Sequence, residues 1–440
     1  MKLTVFQSDK GDCLMVTSAD GKHRLLADGG MRSSYRAHVA PKLNQLFRAR
    51  QPLDLLYVSH IDQDHISGVL QMLDDLVAWR VHEYQLRHDN PGHRAPKFPR
   101  PPEVKKIWHN AFHESDRKNA GAIASMLAAK AEIFAGMDVP RSLREAVEEH
   151  ANLATSIREA IGVSRRIRPE QLNIALNPDY EGRLMLVLED PPELKLGSVR
   201  LSVVGPFEED LKKLRSEWND WLAKNQKALA DIQQRAQRDA ERLAESEASA
   251  LVDPLVSRAL GLLAFEAQQL ELAAQLGRRE KVTTPNLASL MLLLEENGKT
   301  VLLTGDGHWE DILAGLDAAG APDSSGKVHL DVLKVQHHGS EHNIHADFCD
   351  AVTASHYIFC GNGAHHNPDL DVLELIAERR FSGDSKPFRF WFNSSSSASE
   401  EPANAAHMKK VEKLVAKLEA KSGGRLKSKF LNNSFFELNV

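Results

Sequence analysis

Four short apolar runs in this chain end in side chains of the metal-binding type. The run 53-LDLLYVSH-60 delivers His60, and Asp62, Asp64 and His65 follow at once in 58-VSHIDQDHISGVL-70. The run 300-TVLLT-304 leads into Gly305-Asp306, and 331-DVLKV-335 into His337-His338-Gly339-Ser340. The fourth, 356-HYIFC-360, is followed by His365-His366-Asn367-Pro368. Unbroken apolar runs of this length are expected of strands buried on both faces, in parallel or mixed sheets covered by helices. Such sheets build their sites in the loops beyond the strand ends. A core histidine or a capping aspartate explains any one of these ends. Four together point to a shared cradle, because imidazole nitrogen and carboxylate oxygen suit Zn²⁺, Mn²⁺ or Fe.

The rest of the chain reads as α/β. Segments 3-LTVFQ-7, 12-DCLMVTS-18 and 23-HRLLADGG-30 are short strands between Gly and Asp turns, and Val39, Leu43, Leu46 and Phe47 space a helix over 37–50. A helix is expected from Ile66 to about Leu76, a loop over the Pro-rich and basic 88–102, and a strand at 104-VKKIWHN-110. Residues 116–168 look helical with a break near Pro140; strands resume at 184-LMLVLED-190 and 199-VRLSVVGP-206. In 208–280, Leu211, Leu214, Trp218, Leu222 and Leu229 fall at helical or heptad spacing amid charge. This predicts a long helix, a break at Pro254 and a second helix over 256–278, either packed on the core or forming an arm for dimerisation or substrate gripping. A hairpin with an Asn-Gly turn is expected in 287–306, and strands at 328–340, 355–362 and 388–393. The serine-rich 394–401 reads as a flexible loop, followed by an amphipathic helix over 405–420.

Composition narrows the class of function. A net charge of −6 gives no global nucleic-acid signature, though a local basic groove fits within it. Cys13, Cys349 and Cys360 are scattered, with no CxxC, which argues against a disulfide framework or zinc ribbon and for a reducing cytosol. The start MKLTVFQSDKGD lacks the apolar core of a signal peptide, and stretches such as 290-LMLLL-294 are strand-sized. A soluble, cytoplasmic protein is expected.

Taken in order, these segments resemble the metallo-β-lactamase superfamily, and within it the branch similar to the hydrolase domain of the DNA-uptake protein ComEC. The resemblance is carried by the 60–65 loop, Lys10-Gly11-Asp12, 25-LLADGG-30, Asn286 with Ser289, 302-LLTGD-306, 333-LKVQHHGS-340 and 366-HNP-368. It spans the chain outside about 111–170 and 207–282. It implies a four-layer αββα sandwich, a single domain over 1–440. A helical insertion would fall at 111–170, a long-helix insertion at 207–282, and a C-terminal helix and strand over 401–440. The protein would be a free-standing relative of the ComEC domain. Two departures bear on the site. Asp62 stands where the superfamily usually has a second His, and no third-motif His ends 201-LSVVGP-206. Both losses fall on the ion that His60 and Asp62 would bind. The other ion would keep Asp64, His65 and a later His, with Asp306 bridging. More oxygen ligation shifts preference toward Mn²⁺ or Mg²⁺. One or two divalent ions are expected (Zn²⁺ or Mn²⁺, with Mg²⁺ a third choice), either as an unequal pair or as one tight ion joined by a second with substrate.

The expected chemistry is hydrolysis by metal-bound hydroxide. The candidate ligands are His60, Asp62, Asp64, His65, Asp306, His337, His338 and His366. Strand geometry leaves only one of His337 and His338 as a direct ligand. Asp64 or Asp306 would orient the water, and His338 or His366 would bind metal or stabilise the departing oxygen. Asp28 is expected to hold a ligand histidine from behind, or else to be a plain turn aspartate; Asp12 and Ser340 are weaker candidates for the same task. His109 and Asn110 either line the cleft or form an ordinary surface strand end. The resemblance implies phosphodiester substrates, hence a nuclease or phosphodiesterase acting on nucleic acid. The loop 94-RAPKFPR-100 and Arg165, Arg166 and Arg168 are available for phosphates, or are solvated surface charge. The alternatives are an ester, lactone or amide hydrolase, and a partner-binding module with a reduced metal site. Residues 207–282 would serve a homodimer or protein partner, with no membrane association.

Overall fold

The structure is a computed structural model and describes residues 1–88, 92–110, 159–160, 162–210, 288–383 and 385–440. Of the helices expected over 116–168 and 208–280, 162–166 is helical, and the parts 116–158, 161 and 211–280 lie outside those residues, as does Asn286. So does most of each insertion, 111–170 and 207–282.

The apolar runs form strands of two sheets. The first is ordered β15-β1-β2-β3-β4-β5-β6. Its members are β1 (Lys2–Phe6), β2 (Leu14–Thr17), β3 (Arg24–Ala27), β4 (Leu55–Val58), β5 (Lys106–His109), β6 (Ala175–Leu176) and β15 (Phe435–Asn439). The second is ordered β14-β13-β12-β11-β10-β9-β8-β7. It contains β7 (Leu194–Leu196), β8 (Val199–Gly205), β9 (Met291–Glu296), β10 (Lys299–Leu303), β11 (Val328–Lys334), β12 (Val352–Phe359), β13 (Phe388–Phe392) and β14 (Leu426–Phe430). Both sheets are mixed. Strands β3 to β6 and β10 to β14 run parallel, and the remaining pairs are antiparallel. The Asn-Gly hairpin is present: Asn297 and Gly298 take φ of 53° and 72° and pair Glu296 with Lys299.

The helices are α1 (Ala40–Arg48), α2 (Gln63–Arg87), α3 (Trp309–Ala318), α4 (Ala346–Ala351), α5 (Leu370–Gly383) and α6 (Pro402–Lys421). Three apolar clusters divide the interior. One joins the two sheets face to face through Leu3, Leu25, Tyr57 and Trp108 on one side and Leu292, Val301, Val332 and Ile358 on the other. A second packs α1 and α2 on the first sheet through Leu43, Ile66, Val69 and Leu73. The third packs α3, α5 and α6 on the second sheet through Ile312, Leu373, Met408 and Val411. The alternating period of a strand and the 3.6 period of a helix put these residues on single faces. Among the described residues, no helix is long and apolar enough to cross a membrane.

Four expectations need correction. Helix α2 does not end near Leu76 but runs to Arg87, since no Pro or Gly interrupts it there. The segment 184–190 is not a strand; its backbone bonds go to the Asn110 side chain and the Pro206 carbonyl rather than to a ladder. The serine-rich 394–401 is not a loose loop: Ser394 and Ser395 are buried, and Ser396 and Ser399 bond Glu412 and the Asn362 carbonyl. The C-terminus adds two strands, not one, and they belong to different sheets.

Candidate metal centre

The parallel strands deliver the site. Strand β4 ends just before His60 and opens α2, whose first turn carries Asp64 and His65. Strand β10 leads to Asp306 and β11 to His337 and His338, so loops from both sheets meet at one edge. Three imidazole nitrogens face three carboxylates there. His338 Nε2 lies 3.2 Å from Asp64 Oδ2 and 3.4 Å from Asp306 Oδ2. His65 Nε2 lies 3.4 Å from Asp306 Oδ1, and His60 Nε2 lies 3.6 Å from Asp62 Oδ2 and 3.7 Å from Asp306 Oδ2. Donor atoms held about 2.0–2.2 Å from a tetrahedral ion lie about 3.3–3.6 Å from one another. His60 Nε2, His65 Nε2 and Asp306 Oδ1 are also buried without a hydrogen-bond partner. Polar atoms orphaned in this way are rare. Here they converge, and a cation would satisfy all three.

The opposite nitrogens are held from behind. His65 Nδ1 bonds Asp28 Oδ2 at 3.0 Å. Asp28 in turn accepts the Ser59 backbone N–H at 2.8 Å and the Ser59 hydroxyl at 2.7 Å. Asp28 is thus more than a turn residue, although it does turn the chain with φ of 57°. His338 Nδ1 lies 2.7 Å from the Cys360 carbonyl, which can only accept, so Nδ1 carries the proton and Nε2 faces the cluster. Asp12 approaches the same nitrogen at 3.3 Å and His65 Nδ1 at 3.9 Å. Asp12, His65 and His338 form one compact ligand-type group, and His60, His65 and Asp306 another. Asp12 meets its histidines on their rear nitrogens and is ion-paired with Lys334. It therefore orients the histidines from behind rather than facing the centre of the cluster.

Electrostatics follow this layout. Burial alone would raise Asp64, but the His338 hydrogen bond and the charges of His65, His338 and Lys10 hold it well below the usual carboxylate range. Burial likewise opposes Asp306, and His338, His65 and His337 outweigh it. Burial would lower His65 and His338, yet the facing carboxylates push both well above the ordinary imidazole value. His337 is lowered, chiefly by burial.

Not every expected residue joins the cluster. His337 Nε2 stands 3.8 Å from Asp306 Oδ2, while its Nδ1 bonds Asn343 Oδ1 at 2.6 Å; His338 is the closer of the pair. His337 and His338 are not alternating strand residues: both take left-handed backbone, with φ of 45° and 56°. His366 is exposed, with its ring against His407 (centroids 5.4 Å), and is not brought to the cluster. Its neighbour His365 comes within electrostatic reach of Lys10, Asp64 and His338. Ser340 supports no ligand; it shapes the turn, its N–H bonding the His337 carbonyl. Arg100 pairs with Glu83 and covers the Phe47 ring, and Arg166 pairs with Asp74, so neither is free for phosphate. Arg94, Lys97 and Arg165 are exposed.

His109 is not a surface strand end but is 1% exposed, and Asn110 bonds the Met185 backbone. Burial drives the His109 imidazole down to about 4 from 6.5. The unfolded chain therefore takes up this proton first. The stability due to neutral His109 is present above about pH 6.5 and lost as pH falls toward 4, about 3 kcal/mol in all. Denaturant melts of metal-free protein should show less loss over this window in His109→Leu than in wild type. Equal slopes would mean that the ring is not buried.

Sequence reasoning missed three residues. Ser59 links Asp28 to His60 and His65, its hydroxyl lying 3.1 and 3.2 Å from their Nδ1 atoms. Asn343 clamps the two sheet-2 loops, donating to the Asp306 and Gly307 carbonyls at 2.9 and 3.2 Å. Lys334 lies inside the cluster. Only Lys334 carried a sequence signal, as a lone charge in an otherwise apolar strand end, which is seldom buried unless paired.

No protein-family model matches this chain, and no curated protein matches it significantly.

Proposed function

We propose that the protein is a metal-dependent hydrolase of the metallo-β-lactamase type, with an αββα architecture, related to the free-standing ComEC-like branch and acting on phosphodiester bonds. The observation that carries this reading is the convergence of three buried imidazole Nε2 atoms and the Asp62, Asp64 and Asp306 carboxylates at 3.2–3.7 Å. His338, His65 and Asp64 would hold one divalent ion, His60 and Asp62 a second, with Asp306 between them. The second set has one nitrogen, so the two ions should differ in affinity.

Bound ions of this kind lower the pKa of water and polarise the scissile bond. The chain's own groups do the rest. Asp64, kept ionised, would accept a hydrogen bond at a carboxylate oxygen and so orient the attacking water. Asp28 and the Cys360 carbonyl keep His65 and His338 oriented. Lys10 sits beside the 64–65 turn, where Gly11 packs so closely on the Asp64 carbonyl that a Cβ there would lie 1.7 Å away. Its ammonium is suited to an anionic substrate oxygen.

The test is cleavage of linear and circular DNA, RNA and a lactone by purified protein with Mn²⁺, Mg²⁺ or Zn²⁺ added, alongside Asp64→Ala. Metal-dependent cleavage of nucleic acid that vanishes in the variant is the expected result. Lactone turnover alone would move the substrate class. Inactivity of folded, metal-loaded protein on every substrate would favour a partner-binding role.

A further inference from the structure

We propose that Lys334 is a positioning residue of this centre, a resident cation that ties Asp12 to the loop carrying Asp306 and offsets part of the cluster's negative charge. The proposal rests on the metal reading above.

Lys334 is the last residue of β11, paired in register with Ile358 of β12, and its side chain is 2% exposed. Its ammonium has three partners. It forms an ion pair with Asp12, donates to the Gly305 carbonyl at 2.9 Å and lies 3.6 Å from Asp306 Oδ1. Two of its contacts are hydrogen bonds, to Asp12 and the Gly305 carbonyl, and the third is a longer ion pair with Asp306. The backbone beside it is fixed too, since Thr304 Oγ1 donates to the Lys334 carbonyl at 2.7 Å. Lys334 thus ties the carboxylate behind His338 to the loop that carries the bridging carboxylate.

The cluster holds the carboxylates of Asp12, Asp28, Asp62, Asp64 and Asp306, and Lys334 offsets one of these charges from inside it. Without Lys334, Asp12 would be a buried carboxylate facing only the His65 and His338 imidazoles, and such groups are costly. Bound divalent metal would relieve more of that cost than those imidazoles do in the metal-free protein.

The experiment compares thermal unfolding of wild type, Lys334→Met and Asp12→Asn/Lys334→Met, each stripped with chelator and each loaded with Mn²⁺. In Lys334→Met the metal-free Tm should fall by about 3 °C or more beyond the fall of the loaded Tm. The metal-induced rise would then exceed that of wild type. The double variant, which removes the stranded charge, should recover part of the metal-free loss. If Lys334→Met does not fold, recovery of folding by the double variant makes the same point. Equal falls in both states, or no recovery in the double variant, would overturn the proposal and leave Lys334 a simple packing residue. Absence of any Mn²⁺-induced rise in wild type, with no metal retained, would instead refute the metal reading itself, and the proposal with it.

Discussion

On the proposed two-ion reading, Asp306→Asn should strip the protein of both ions and reduce hydrolysis to background. Among the described residues, Asp306 is the only carboxylate that faces His60, His65 and His338 together, at 3.7, 3.4 and 3.4 Å. An amide offers one neutral oxygen where the carboxylate offers two charged ones, so it cannot bridge. The fold should survive, because the loop is held by backbone: Asp306 N–H bonds Ser289 Oγ at 3.2 Å, and Asn343 holds the Asp306 carbonyl. Residues that support ligands from behind typically cost 10–100-fold in metal affinity when changed. Asp28→Asn should fall within roughly that range, because His65 loses a charged partner but keeps Nε2. Asp306→Asn should exceed it. Elemental analysis and Mn²⁺ titration of both variants measure this order directly. Two ions retained by Asp306→Asn, or a larger loss in Asp28→Asn, would mean that Asp306 is not the bridge.

Much of this was legible in the sequence, for one physical reason. Strands buried on both faces must be apolar throughout, so each one's end is marked where the first polar residues appear. That is why the sequence marks His60, Asp64, His65, Asp306 and His338, which the structure brings together. The misses have causes of their own. His366 was favoured over His365 because it stands in a His-Asn-Pro segment, but both take left-handed backbone (φ of 65° and 54°) and both are exposed. Segment 184–190 has the apolar content of a strand, yet no neighbouring strand accepts its hydrogen bonds. Ser59 and Asn343 act through contacts between distant loops, which no local pattern encodes. Lys334 is intermediate: its oddness in an apolar run was visible, but its partners were not.

Gly68→Ala should show the opposite sign to the one that helix propensity gives. Gly68 lies in the sixth position of α2, where an exposed Gly→Ala change ordinarily stabilises by about 0.5–1 kcal/mol. Here an added Cβ would stand 2.0 Å from the Gly29 carbonyl oxygen and 2.5 Å from its carbon. The contact is mutual, since a Cβ on Gly29 would lie 2.2 Å from Val69 N. These are backbone atoms, and no rotamer change relieves them. The close approach is fixed by two hydrogen bonds, Gly68 N–H to the Gly30 carbonyl at 2.9 Å and Gly29 N–H to the His65 carbonyl at 2.8 Å. Forcing α2 away would break both, at a cost of about 3 kcal/mol or more. It would also move Asp28 relative to His65, whose bond spans the same gap. Gly68→Ala should therefore lose stability in urea unfolding of metal-free protein and lose metal affinity in titration, though residue 68 touches no ligand. A neutral or stabilising result would mean that α2 is not seated on the 28–30 turn, and that the alignment of Asp28 with His65 has another source.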